Sequence, residues 1–177
     1  RMKYDRINGH DFYNMVVNAS NRLLEESDFV NALNVFPVPD GDTGTNMSMT
    51  FKAAVKEIEN LNSESIGETS KKLAKGALMG ARGNSGVILS QILRGISKGL
   101  EGKTSVDSAE LANAFVEGSK AAYKAVMKPK EGTILTVARG MAEKAADIFD
   151  ATDDLEEGFR QIIEYGDYML SLTPEML

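Results

Sequence analysis

A chain of 177 residues, 42% hydrophobic and 26% charged, has the makeup of one globular domain able to bury its own core. Its net charge of −6 argues against a nucleic-acid binder, which ordinarily shows a basic face to the phosphates. No apolar run is long enough, or free enough of charge, to cross a bilayer, and no hydrophobic signal segment opens the chain, so a cytoplasmic location is expected.

Apolar residues recur at helical spacing almost throughout, and no stretch shows sustained strand-type alternation, so the expected class is all-α. A first helix is expected from about Asn8 to Glu26, with Phe12, Met15, Val16, Ala19 and Leu23 on one face. A short one follows from Asp28 to about Val35. Pro37 and Pro39 stop it, since each removes an amide donor and pushes its predecessor toward extended geometry. A third helix restarts near Thr43 or Gly44 and turns Met47, Phe51, Ala54, Val55 and Ile58 inward, and a fourth spans about Ser65 to Met79. After the glycine-rich stretch 80–86 a fifth runs to Leu100, with Val87, Leu89, Ile92, Leu93 and Ile96 making it the most apolar. A sixth (about Asp107 to Met127), a seventh (Thr133 to Phe149) and an eighth (Asp153 to Leu172) each follow a capping Asp, Ser or Thr. Short connections predict antiparallel neighbours, as in a bundle. Glycines 76, 95, 118 and 140 inside these helices each cost about 1 kcal/mol relative to alanine, which close helix approach would explain. No repeat or linker divides the chain, so residues 1–177 are read as a single domain, cut short at its C-terminal end.

The loop Asn34-Val35-Phe36-Pro37-Val38-Pro39-Asp40-Gly41-Asp42-Thr43-Gly44-Thr45-Asn46 holds two carboxylates two residues apart in a stiff turn, just before a helix N-terminus. Such anions repel unless a cation sits between them. With no cysteine and one histidine, His10, the chain cannot build a thiolate or imidazole site, and hard oxygen ligands remain. Those suit Mg²⁺ or Ca²⁺, and Mg²⁺ characteristically shares its ligands between a few carboxylates, waters and substrate phosphates. Asp40, Asp42 and Asn34 are the candidates. An EF-hand begun at Asp40 fails, because its fifth, sixth and twelfth positions fall on Gly44, Thr45 and Phe51. The same segment also reads as plain turn chemistry, with Asp42 or Thr43 capping the next helix.

Gly80-Ala81-Arg82-Gly83-Asn84-Ser85-Gly86 lies between two helices, where unhindered amides and a helix dipole offer an anion site. It is neither a Walker A loop nor a dinucleotide fingerprint, and a tight turn capped by Ser85 fits it as well. Thr133 opens a helix after Lys128-Pro129-Lys130-Glu131-Gly132, either as its cap or as a nucleotide contact. His10 reads as a surface or packing residue, and the methionines as core filler.

The segments 34–47, 79–91 and 124–129 followed by Glu131-Gly132-Thr133-Ile134-Leu135 resemble the N-terminal domain of bacterial fatty acid kinase, itself similar to the nucleotide-binding domain of dihydroxyacetone kinases. The resemblance implies an eight-helix barrel-like antiparallel bundle that holds ATP at one end through two Mg²⁺ ions. It implies metal-binding roles for Asp40 and Asp42. It places Thr43, Gly44, Thr45 and Asn46 in a phosphate-side turn, Gly83, Asn84 and Ser85 in a second phosphate loop, and Thr133 near the nucleoside. The phosphoryl acceptor it implies is a fatty acid presented by a separate lipid-binding protein. Two departures stand out: Asn34 occupies the place of a third metal-binding aspartate, with a slightly longer loop, and the chain stops before a further glycine-rich segment of that family. A small-molecule kinase of the dihydroxyacetone type and a non-catalytic nucleotide-binding module are the alternatives.

Overall fold

The computed structural model describes residues 6–32, 42–125, 134–151, 157–158 and 161. Along them run β1 (Ile7–Asn8), α1 (Gly9–Glu25), α2 (Ser27–Ala32), α3 (Thr43–Ile58), α4 (Ile66–Met79), α5 (Gly83–Leu100), β2 (Ser105–Val106), α6 (Ser108–Ala125) and α7 (Ile134–Ala151). The class is all-α, as the periodicity predicts.

Local chemistry sets several helix starts. At α1 the Asn8 carboxamide accepts from the Asp11 amide at 3.0 Å, while the Asp11 carboxylate accepts from the Asn8 amide at 3.1 Å, a reciprocal capping box. Asp107 and Glu110 repeat it at α6, where the Asp107 carboxylate takes the Glu110 amide at 2.8 Å and the Glu110 carboxylate takes the Asp107 amide at 3.2 Å. Ser65 caps α4 by accepting from the Glu68 amide at 3.1 Å.

Consecutive helices α3 to α7 pack one on the next, and α5 also packs on α3. The core runs through Phe12, Phe51, Ile58, Ile66, Leu73, Leu89, Leu93, Leu100, Val106 and Leu111. Each large side chain fully buried there contributes roughly 1.5–3 kcal/mol relative to exposure. At the α5–α6 seam glycine lets the backbones meet: a Cβ at Gly95 would come within 2.6 Å of the Gly118 Cα, and one at Gly118 within 2.8 Å of the Ile92 carbonyl. Gly76 lets α4 approach α3 in the same way, with a Cβ there 2.7 Å from that of Glu57. Close approach thus accounts for three of the glycines the sequence reading singled out.

One end of the bundle is tied by β1 and β2, which pair antiparallel with Ile7 opposite Val106 and Asn8 opposite Ser105. Helices α1, α4 and α6 begin there. The Gly9 amide donates to the Glu64 carbonyl at 2.7 Å, and the Ile66 amide to the Thr104 carbonyl at 3.0 Å. Helices α3 and α5 begin at the opposite end, about 24 Å away along a 16-residue helix.

The structure differs from the sequence reading in identifiable places. The fifth helix starts at Gly83, inside the stretch read as a loop. Val87, at the start of its second turn, is 48% exposed, because the buried stripe of α5 is Leu89, Leu93, Ile96 and Leu100. On α1, Ser20 is buried and Ala19 is exposed. The two strands were not expected; at two residues each they are too short to show alternation. The second helix is described only as Ser27–Ala32, and the expected eighth helix, 153–172, lies almost entirely outside the described residues. The eight-helix count and barrel closure are therefore not features of the described residues.

Candidate functional site

The two glycine-bearing segments meet. Thr50, fully buried on the second turn of α3, donates its hydroxyl to the Asn46 carbonyl at 2.7 Å and accepts from the Arg82 backbone amide at 3.0 Å. That hydroxyl staples the α4–α5 turn to α3. The Ser85 hydroxyl donates to the Thr43 carbonyl at 3.3 Å and joins the first turns of α3 and α5. Two glycines make the contact sterically feasible. Gly86 lies against the Thr50 hydroxyl, where a Cβ would collide with it. Gly83 has φ +64°, in the left-handed region that favours glycine, and a Cβ there would collide with the Asn46 side chain.

The N-terminus of α5 has no side-chain cap: Arg82 occupies the N-cap position in extended geometry without bonding the first turn. Among the described residues no acceptor takes the amides of Gly83, Asn84 or Ser85, and Gly83 and Asn84 are exposed. Unpaired first-turn amides at the positive end of an 18-residue helix are the kind of donors that anions take. Arg82, also exposed, adds positive charge beside them.

Helix α3 is capped differently. Asp42 stands at its N-cap position, yet the carboxylate makes no cap bond, so the plain capping role considered for it in the sequence is not what the structure shows. The cap comes from α2: the Asn31 carboxamide accepts from the Thr45 amide at 3.1 Å and donates to the Thr45 hydroxyl at 2.9 Å. Gly44 permits this, since a Cβ there would collide with the Ser27 carbonyl and lie 3.0 Å from the Asn31 oxygen. Asp42, exposed at the start of α3, brings a hard oxygen donor of the kind Mg²⁺ takes to the mouth of the bundle, the end where α3 and α5 begin.

Of the expected residues, Asp42, Thr43, Gly44, Thr45, Asn46, Gly83, Asn84 and Ser85 are brought to one end of the bundle. Asn34, Asp40 and Thr133 lie outside the described residues. Among the described residues no three acidic or histidine side chains converge, and of the expected metal ligands Asp42 alone is among them. Ser85 is the third residue of α5 and not its cap. Asn31 and Thr50 escaped the sequence reading. Thr50 carried a faint signal, a polar residue on the buried stripe of α3 one position before Phe51; Asn31 carried none, because its partner is 14 residues away. Beside the mouth a groove of about 400 Å³ runs between Leu24, Met49, Lys52, Lys56 and Arg82.

His10 is remote from this site. It lines a hollow of about 270 Å³ at the opposite end with Tyr13 and Thr69. No described helix is long and apolar enough to cross a membrane.

Residues 37–177 match the DAK2 domain family. Uncharacterized proteins of Staphylococcus haemolyticus, Staphylococcus epidermidis and Staphylococcus aureus are each 48% identical over 172 residues, which is 97% of this chain and 31% of theirs. The chain thus spans about a third of the length of these relatives.

Proposed function

The chain belongs to the DAK2 domain family, dihydroxyacetone kinase-like and kinase-related, and from that membership we propose that it is the ATP·Mg²⁺-binding domain of a fatty acid kinase. The γ-phosphoryl group passes to a fatty acid carboxylate held by a separate lipid-binding protein. The observation that carries the reading is the uncapped N-terminus of α5 set against the first turn of α3, with the Asp42 carboxylate at the same mouth.

Phosphoryl transfer asks little covalent help from a protein and much positioning and charge neutralisation. The Gly83, Asn84 and Ser85 amides receive phosphate oxygens, and Arg82 lends its charge. Thr43, Gly44, Thr45 and Asn46 line the opposing turn, and Thr133 sits near the nucleoside. Asp40 and Asp42, helped by the neutral oxygen of Asn34, hold the metal, two ions in the arrangement the fatty acid kinase resemblance implies. Mg²⁺ there supplies charge neutralisation along the triphosphate. The acceptor carboxylate attacks the γ-phosphorus as the bond to the ADP oxygen breaks, giving acyl phosphate and ADP. The eight-helix antiparallel barrel-like bundle, with an eighth helix over about 153–172, belongs to the same reading.

Calorimetric titration with ATP, with and without Mg²⁺, tests it, repeated on Asp40→Ala and Asp42→Ala. Metal-dependent binding, weakened by either substitution, is expected; equal binding without metal or without both acids would sink the proposal. The family match itself favours a second acceptor, a small hydroxyketone of the dihydroxyacetone type. Phosphorylation assays on the full-length protein with each acceptor separate the two.

A further inference from the structure

Resting on the nucleotide reading above, we propose that Asn31 is a positioning residue for this site and acts by fixing the direction in which the Thr45 hydroxyl donates. The Thr45 backbone amide can only donate, so the Asn31 oxygen must be the atom that faces it, at 3.1 Å. The orientation of the carboxamide is thereby fixed. The Asn31 nitrogen then faces the Thr45 hydroxyl oxygen at 2.9 Å and must donate to it. Because that oxygen is accepting from Asn31, the hydroxyl hydrogen points elsewhere. Among the described residues it is donated to no group, and Thr45 is exposed at the mouth where α3 and α5 begin. Asn31 therefore presents a hydroxyl donor to an incoming anion with several acceptor oxygens, such as a polyphosphate.

The contact has a second effect. By bridging residues 31 and 45 it seats α2 on the first turn of α3 through Gly44. Asn31→Asp separates the two effects. A carboxylate has no hydrogen to give, so it can hold Thr45 only by accepting from both the amide and the hydroxyl. The clasp survives, and a carboxylate near a helix N-terminus favours the fold. The hydroxyl hydrogen is turned inward and lost to the ligand.

The test is a double-mutant cycle of Asn31→Asp and Thr45→Val, read by calorimetric titration with ATP in Mg²⁺ and by urea denaturation of each unliganded variant. Asn31→Asp should be at least as stable as the wild type yet bind ATP roughly tenfold more weakly, the worth of one good hydrogen bond to a charged group. In the Thr45→Val background the same change should weaken binding by less than about threefold, leaving only the repulsion of the added charge. A purely structural Asn31 would tie affinity to stability, and an equal loss in both backgrounds would reduce the effect to charge; either result overturns the inference while leaving the nucleotide site intact. Failure of the wild-type chain to bind ATP·Mg²⁺ overturns the nucleotide reading instead, and this inference with it. Should Asn31→Asp unfold, Thr45→Val against Thr45→Ser still decides: Ser should retain affinity and Val should lose it, and equal affinities overturn the proposal.

Discussion

The two ends of the bundle are built by opposite rules. Where α1, α4 and α6 begin, each helix is capped by a residue of its own sequence, Asn8, Ser65 or Asp107. The Lys103 carbonyl there accepts from both the Gly67 amide at 2.9 Å and the Ser65 hydroxyl at 3.2 Å, and Arg6 donates to the Ser105 hydroxyl at 2.8 Å and carbonyl at 2.9 Å. Where α3 and α5 begin, neither N-cap side chain bonds its own helix. The large apolar side chains left exposed among the described residues, Leu24, Met49, Leu78, Met79 and Val87, fall at this end too, on the closing turns of α1 and α4 and the opening turns of α3 and α5. A missing cap costs about 1 kcal/mol. At α3 the cap is supplied by Asn31 from α2, so the missing cap is that of α5, whose Gly83, Asn84 and Ser85 amides stay available at some expense of stability, as a place kept for a ligand would need.

If the tied end is scaffold, damage there should lower stability and spare binding. Leu100, fully buried where α5 ends, is the strongest probe. Leu100→Ala should destabilise by about 2–5 kcal/mol through lost burial and the cavity left behind, read as a lower urea midpoint. Nucleotide affinity of the folded fraction should not change. A large fall in affinity at full folding would break the division between the ends.

A smaller effect sharpens the comparison from the open side. Arg82 is extended, with φ −123° and ψ 128°, and its amide is already held by Thr50, so a serine there has the backbone a cap needs. Arg82→Ser and Arg82→Ala both remove the charge, but only serine caps α5. Serine should be the more stable of the two by about 1 kcal/mol and should bind ATP·Mg²⁺ more weakly, because its hydroxyl competes for the first-turn amides. At the tied end Ser65→Ala should cost about 1 kcal/mol and leave binding alone. Equal affinities for the two Arg82 variants would mean that the α5 amides do not receive the ligand.

The same contrast governs what could be read from sequence. Tied-end starts were legible because cap and amide lie within three residues, as with Ser65 and Glu68. The restart of α3 at Thr43 was legible because Pro37 and Pro39 bar a helix just before it. The open end was legible in composition but not in geometry. Gly83 and Gly86 read as loop residues on propensity, whereas their small size serves contact with Asn46 and Thr50, and the helix runs through both. Tertiary contact overrode local preference there. Asn31 was invisible for the same reason: a trans cap has no local spacing to betray it.

The smallest expected effect concerns charge at the tied end. The Glu110 carboxyl is held below its ordinary value, first by the Lys103 ammonium at 3.0 Å, then by the Asp107 amide, with Arg6 adding a weaker attraction at 3.9 Å. A carboxyl whose folded-state pKa is depressed gives its stabilisation in full above the unfolded value, and loses it as pH falls through the folded one. Thermal stability should therefore hold between pH 7 and 5 as far as this group is concerned, and slip below the usual glutamate range. In Glu110→Gln the slip from this group should vanish, and the midpoint at pH 7 should fall slightly, since the pair is a third exposed and water screens it. Salt at 1 M should narrow the difference between the two proteins at pH 7. ATP·Mg²⁺ affinity at neutral pH should be the same in both, because the substitution touches the end of the bundle that holds α1, α4 and α6 and not the mouth between α3 and α5. A binding defect in Glu110→Gln would show that the two ends communicate through the helices that join them.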